Sequence, residues 1–275
     1  MTAELEVVIL GSGSSGGVPR ADGAWGACDP ANPLNRRSRC SMLIRRRSTE
    51  GPKAETTVVV DASPEFRLQT AAAGARRLDA LLMTHDHADQ AHGIDDIRAF
   101  ALAQRERIPC WMDEATRASL GHRFGYIFKS EGYYPAIAEI HGLPAHGQAW
   151  SVKGPSGDTP VVTFDQDHGG VRSVGYRFGG LAYSSDVVDL PEAAFAALTD
   201  LDVWIVDALR YTPHPTHAHV DKTLAWIERV KPRRAILTNL HIDLDYEELA
   251  ARLPSGVEPA YDGMTISVSI PAESP

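Results

Sequence analysis

The chain has 275 residues, 43% of them hydrophobic and 23% charged, which is material for one large core, and residues 1–275 read as a single domain. A formal net charge of −9 argues against a protein that holds long nucleic acid in a general basic field, although a small anionic substrate needs only local positive charge. No apolar run approaches the roughly 18–20 residues of a membrane span. With three cysteines, no Cys-x-x-Cys pair and no basic-then-apolar leader, we expect a cytoplasmic protein without a membrane partner.

In chain order, Glu4–Leu10 reads as a strand. The glycine loop Gly11-Ser-Gly-Ser-Ser-Gly-Gly-Val-Pro19 and an aperiodic excursion over residues 20–38 follow it. Cys40–Arg46 alternates as a strand and runs into a hairpin-like turn. Thr56–Asp61 is a β-branched strand ending in an acid. Ser63 reads as an N-cap, with Pro64 opening a helix to about Ala73. Ala80–Met83 is a buried strand that breaks into a His- and Asp-rich loop, and a helix follows from about Ile94 to Gln104. Ile108–Met112 is a strand, and Asp113 caps a helix to Phe124. Residues 125–147 are aromatic and broken by Gly and Pro, as an irregular cover segment would be.

Beyond Trp150 the pattern changes to short strands, at Val161–Phe164, Ser173–Phe178 and Leu181–Tyr183. A helix at 192–198, a strand at Val203–Asp207, a helix at 220–231, a strand at 234–237, a helix at 246–253 and a strand at 265–269 complete the chain, with residues 271–275 as a frayed tail. Strands in runs, with helices punctuating both halves, predict an α/β fold: an αββα sandwich of two mixed β-sheets with helices outside. A doubly wound parallel sheet would need a regular alternation, which residues 150–184 break.

The chemistry concentrates at strand ends. His85, His87, Asp89 and His92 fall within eight positions after Ala80–Met83, and two histidines at i and i+2 can face one ion. His168 follows Val161–Phe164, Asp186 follows Leu181–Tyr183, and His241 follows 234–237. Any one of these alone is an ordinary cap or turn residue. Four strand ends that all yield His or Asp point to a metal site, because a rigid sheet lets short loops converge. The Gly11-x-Gly13-x-x-Gly16 spacing matches a dinucleotide fingerprint, but it opens no helix and lacks the distal acid. Its role is close backbone approach to the metal centre or a phosphate, with Ser14 and Ser15 able to donate hydrogen bonds. The three cysteines read as small buried hydrophobes.

At these residues the sequence resembles the metallo-β-lactamase superfamily. His85-x-His87-x-Asp89-Gln90 stands for its ligand loop, His168 for the next ligand, Asp186 for the bridging Asp and His241 for the last, with Asp61 as the acid behind the metals. Within the superfamily it looks most like the phosphodiesterases of carbon–phosphorus lyase pathways, which open a phosphoribosyl cyclic phosphate. The matching features are the glycine loop, Trp25-Gly26, Arg37-x-x-Cys-Ser41, Leu82-Met-Thr-His85, Gly93 with Arg98, and Tyr261-Asp-Gly-Met264. It resembles the transfer-RNA 3′-processing endonucleases more distantly.

Two departures fall on the second metal position, where Gln90 and Asn239 stand in place of histidines. Their neutral amide oxygens suit a harder ion such as Mn²⁺ better than zinc. The Cys-rich structural zinc of the family is also in question, since only Cys28 stands near Trp25.

The resemblance implies two divalent metal ions, Zn or Mn. The first takes His85, His87, His168 and Asp186, and the second takes Asp89, Asp186, His241 and Gln90 or His92. A hydroxide between the ions would attack phosphorus, with His219 as general acid supported by Asp221 in the first turn of its helix. Arg67, Arg98 and Arg172 are candidate phosphate clamps.

The function so implied is a phosphodiesterase acting on a small cyclic or nucleotide-like phosphate. The alternatives are an ester, thioester or lactone hydrolase of the same fold, and a non-hydrolytic binding protein of pyrroloquinoline quinone biosynthesis, which Asp61-Ala-Ser-Pro-Glu-Phe-Arg67 resembles. Isologous dimers are common, and a homodimer stays open.

Overall fold

The computed structural model describes residues 2–48, 50–51 and 54–271. Among these, fourteen strands and eight α-helices alternate through the chain. The first half holds β1 (Thr2–Gly11), β2 (Ser41–Arg46), β3 (Thr56–Val60), α1 (Phe66–Ala72), β4 (Ala80–Leu82), α2 (Ala88–Ala91), α3 (Arg98–Gln104), β5 (Ile108–Met112), α4 (Glu114–Arg123), α5 (Gly125–Phe128) and β6 (Ala138–Gly142). The second half holds β7 (Ala149–Val152), β8 (Thr159–Asp167), β9 (Arg172–Phe178), β10 (Leu181–Ser184), α6 (Glu192–Ala197), β11 (Val203–Asp207), α7 (Val220–Val230), β12 (Arg234–Thr238), α8 (Tyr246–Arg252), β13 (Val257–Pro259) and β14 (Thr265–Pro271).

The strands form two seven-stranded sheets, ordered β14-β1-β2-β3-β4-β5-β6 and β13-β12-β11-β10-β9-β8-β7. Both are mixed: β3 to β6 and β10 to β13 run parallel, while β14-β1-β2-β3 and β7-β8-β9-β10 are antiparallel. Period-two alternation explains the layering. Val7, Ile9, Met42, Ile44, Val58 and Val60 of one sheet meet Val174, Tyr176, Phe178, Tyr183 and Ile205 of the other in the central core. The alternate residues, such as Val8, Leu43, Val59 and Leu81, face helices α1, α3 and α4 outside the first sheet. Ala182, Trp204, Val206 and Leu237 face α6, α7 and α8 outside the second. This is the expected αββα sandwich.

Three corrections apply to the coarse reading. Residues 125–147 are not uniformly irregular: they carry α5 and the edge strand β6, whose Ala-Glu-Ile-His-Gly sequence alternates over only two apolar residues, too short a run to announce a strand. The first helix starts at Phe66, because Ser63 is used in the turn before it, its carbonyl accepting from Phe66 N at 2.8 Å. Residue 271 still belongs to β14, and the rest of the expected tail lies outside the described residues.

The excursion over residues 20–38 has little secondary structure of its own, yet it is anchored. The Arg37 guanidinium is buried and donates to the carbonyl of Leu244 at 2.7 Å and to Asn35 Oδ1 at 3.3 Å, with Cys28 Sγ 3.7 Å away. This cationic cross-link occupies the neighbourhood of Cys28. All three cysteines are free and buried, as expected. No helix among the described residues is long and apolar enough to cross a membrane.

Candidate metal centre

The parallel strands deliver their C-terminal ends to one edge of the sandwich. Asp61, Asp186 and Asn239, which follow β3, β10 and β12, all adopt left-handed backbone, with φ of 63°, 54° and 62°. Asp and Asn are the non-glycine residues that best tolerate this conformation. The sharp turn after each strand then aims a polar side chain across the sheet edge.

His85 is set by the residues behind it. The Thr84 hydroxyl lies 2.9 Å from His85 Nδ1 and 2.9 Å from Asp61 Oδ2, and Thr84 N donates to Asp61 Oδ1 at 2.8 Å. Thr84 thus donates to Asp61 and accepts from His85 Nδ1–H, which leaves His85 Nε2 as a bare acceptor. That atom is buried and has no hydrogen-bond partner. Burial pushes His85 down to about 3, with the histidines around it in the same direction, so it is a neutral imidazole.

His168 is oriented the same way. Its Nδ1 donates to the carbonyl of Thr216 at 2.7 Å, and its Nε2 stands 3.2 Å from His87 Nδ1. Two nitrogens bound to one tetrahedral zinc at about 2.0–2.1 Å would be roughly 3.3 Å apart. His85, His87 and His168 present ligand atoms all within 4.8 Å of one another.

Asp186 is the hinge to a second group. His168, Asp186 and His217 also bring ligand atoms within 4.8 Å of one another. Asp186 Oδ1 lies 3.8 Å from His168 Nε2 and 3.9 Å from His217 Nε2. Its Oδ2 accepts from Gln90 Nε2 at 2.9 Å and from the Ser185 hydroxyl. Burial would raise Asp186, but His85, His217 and His168 outweigh it and hold the carboxylate down to about 2. Burial and the charge of Asp186 instead push Asp89 up to about 6.

The fit to metal is direct: neutral imidazoles with inward lone pairs, two carboxylates that repel each other, and the buried, partnerless oxygens of Gln90 and Asn239. Such groups are costly to bury uncompensated and are satisfied by cations. His85, His87, His168 and Asp186 would hold one ion. Asp89, Asp186 and the amide oxygens of Gln90 and Asn239 are the donors available to a second.

Two assignments made from sequence need correction. His241 is in neither group. Its Nδ1 sits 2.9 Å from Asp243 Oδ2, and its Nε2 accepts from the Arg20 guanidinium. His219 is the N-cap residue of α7 without a side-chain capping bond, and Asp221 is exposed in the first turn of that helix. The imidazole that does enter the cluster is His217, two residues earlier. His217 lies in a run of bends over residues 215–217, which turns its ring to the cluster, whereas His219 lies past the bends at the cap of α7.

His217 comes with a partner. Its Nδ1 lies 2.8 Å from Oδ2 of the fully buried Asp207, which ends β11 and also accepts from Val187 N at 3.0 Å. Burial opposes charging His217, but the Asp207 carboxylate and its hydrogen bond prevail and raise it to about 9. Asp207 carries the same sequence signal as Asp186, an apolar strand ending in an acid.

Of the remaining residues, Ser14 is buried in the glycine loop and Ser15 is exposed. Gly11 explains the loop: a Cβ there would lie 1.9 Å from the carbonyl oxygen of Arg39, so the glycine is needed for close strand packing. Ser15 lines a cleft of about 620 Å³ with Gly16, Arg20, Arg39, Asp89 and His92. His92 faces Arg123 and Phe124. Arg98 pairs with Asp95, and Arg172 pairs with Asp165 and Asp167.

Residues 56–242 match the family model of the β-lactamase superfamily domain. The chain is similar to a solved diphosphatase of the PhnP family, at 31% identity and a TM-score of 0.84, covering 98% of this chain and 99% of that one. The Zn²⁺-bound PqqB of Methylobacterium extorquens is similar in fold, with a TM-score of 0.72 at 18% identity over 95% of this chain and 99% of that one. Among curated proteins, an octanoyltransferase of Porphyromonas gingivalis is 28% identical over 265 residues, 94% of this chain. The chain spans only about half (51%) of that relative's length.

Proposed function

The chain belongs to the β-lactamase superfamily, a hydrolase of the metallo-β-lactamase fold, and from that premise we propose that it hydrolyses a phosphodiester of a small molecule with the help of bound divalent metal. The observation that carries this reading is the convergence of His85, His87, His168 and Asp186, with the His217–Asp207 pair set against the same carboxylate. Bound metal would supply a nucleophilic hydroxide near neutral pH and neutralise charge on the phosphoryl oxygens.

The chain's own residues do the rest. Thr84 and the Thr216 carbonyl fix which nitrogen of His85 and His168 faces inward. Asp207 holds His217 protonated, with Nε2 turned to the cluster, so His217 rather than His219 is the proton donor to the departing alkoxide. The adjoining cleft, at about 620 Å³, is sized for a nucleotide or sugar phosphate rather than a polymer. The similarity to a diphosphatase supports phosphorus chemistry.

A second reading, hydrolysis of an acyl ester or thioester, draws on the octanoyltransferase that matches over nearly the whole of this chain. Assay of protein loaded with Zn²⁺ or Mn²⁺ against bis(p-nitrophenyl) phosphate and a thioester and lactone panel separates the two. Phosphodiester turnover that depends on added metal and is abolished by His168→Ala supports the proposal. Turnover confined to acyl substrates rejects it.

A further inference from the structure

His241 sits where the sequence placed a metal ligand, at the end of β12, yet it holds a guanidinium. Its Nε2 accepts from Arg20, while its Nδ1 lies 2.9 Å from Asp243 Oδ2 and its backbone N donates to the carbonyl of Leu209 at 3.0 Å. Arg20 belongs to the excursion after the glycine loop. Its backbone is pinned in a tight turn, Arg20 N donating to the carbonyl of Ala24 at 2.9 Å and Gly23 N to that of Arg20 at 2.8 Å. Its stem lies over Gly16, where a Cβ would come within 3.4 Å of both Cγ and Nε. The side chain lines the same cleft as Asp89, beside the metal centre.

What sets Arg20 apart is its partner. Arg98 and Arg172 are paired with carboxylates, and Arg39, across the cleft, is paired with Glu65 at 2.9 Å. Among the described residues no carboxylate pairs with Arg20. Asp22, the nearby acid on the cleft, accepts from Ala24 N at 3.0 Å. Arg20 is held instead through an imidazole nitrogen that accepts a hydrogen bond and carries no charge. An arginine fixed by a neutral acceptor keeps its full positive charge and most of its five donors for an anion.

Building on the phosphodiesterase reading, we propose that Arg20 grips the phosphoryl oxygens of the substrate at the mouth of the metal centre, and that His241 is a positioning residue for Arg20.

The test uses the full metal-loaded chain and inorganic phosphate as probe, titrated by calorimetry, with bis(p-nitrophenyl) phosphate kinetics and metal content measured alongside. Arg20→Gln is expected to weaken phosphate binding and raise KM roughly 10- to 100-fold, the scale of a charge-assisted bidentate contact, with metal content unchanged. Arg20→Lys should recover part of the loss, because it restores charge but not the fork. His241→Ala should raise KM several-fold at nearly constant kcat and unchanged metal.

Equal phosphate binding by wild type and Arg20→Gln, or no phosphate binding by the wild type, overturns the role of Arg20. Loss of a metal equivalent in His241→Ala overturns the positioning role. A wild type that binds phosphate through Arg20 but cleaves no phosphodiester retains this site and rejects the reaction.

Discussion

Replacing Asp207 with Asn tests the assignment of the proton donor without touching a metal-binding atom. Asn is isosteric and can still accept from His217 Nδ1, now 2.8 Å from Asp207 Oδ2, and from Val187 N at 3.0 Å. What it removes is the charge. Lifting His217 from 6.5 to about 9 corresponds to about 3 kcal/mol in favour of the imidazolium. Burial opposes the imidazolium, while Asp186 and Asp89 still favour it in the variant, so His217 falls toward its ordinary value. A histidine at its ordinary value is about a tenth protonated at about pH 7.5, so competent enzyme falls by up to roughly tenfold.

The sign follows from a raised histidine: protonation persists up to about 9 in the native protein, and in the variant it is recovered as pH falls toward the ordinary histidine range. The assay is a leaving-group series. A nitrophenolate departs without a proton and an alkoxide does not, so Asp207→Asn and His217→Gln should depress turnover of alkyl phosphodiesters far more than that of nitrophenyl esters, with the deficit of Asp207→Asn shrinking at lower pH. Equal loss for both leaving groups, or loss of bound metal, would refute the role given to His217.

Three further outcomes are expected. Thr84→Val removes the hydroxyl between Asp61 and His85 Nδ1 and should weaken metal binding about 10- to 100-fold, measured by competition with a chromophoric chelator. Gly93→Ala places a Cβ 1.9 Å from the Ser63 carbonyl oxygen and 2.7 Å from Phe66 Cβ; the backbone must shift, costing about 2–4 kcal/mol in denaturant titration. Asp262 is raised by burial although Ser12 and Ser38 each donate to it through N and Oγ at 2.6–2.9 Å. Because it binds its proton more tightly folded than unfolded, its contribution is greatest below about pH 3.9 and falls as pH rises through the folded value. The stability lead of wild type over Asp262→Asn should therefore narrow with rising pH in that window.

The layered fold was legible because strand alternation and apolar runs are local signals; β6 was lost because an edge strand with Glu139 and His141 buries too little to show a pattern. The half of the site built from His85, His87, His168 and Asp186 was legible for a similar reason, each residue following a strand of clear pattern. Residues 210–219 have no such frame. With three histidines at positions 214, 217 and 219 on a segment of successive bends, only the contact with Asp207 tells which one turns inward. Arg20 carried no signal at all, since its partner His241 is 221 residues away in the chain.

Elemental analysis of desalted wild type, His168→Ala and His241→Ala should find metal bound to the wild type and to His241→Ala alike, and strongly depleted in His168→Ala. Metal retained in full by His168→Ala, or lost with His241, would contradict the centre described.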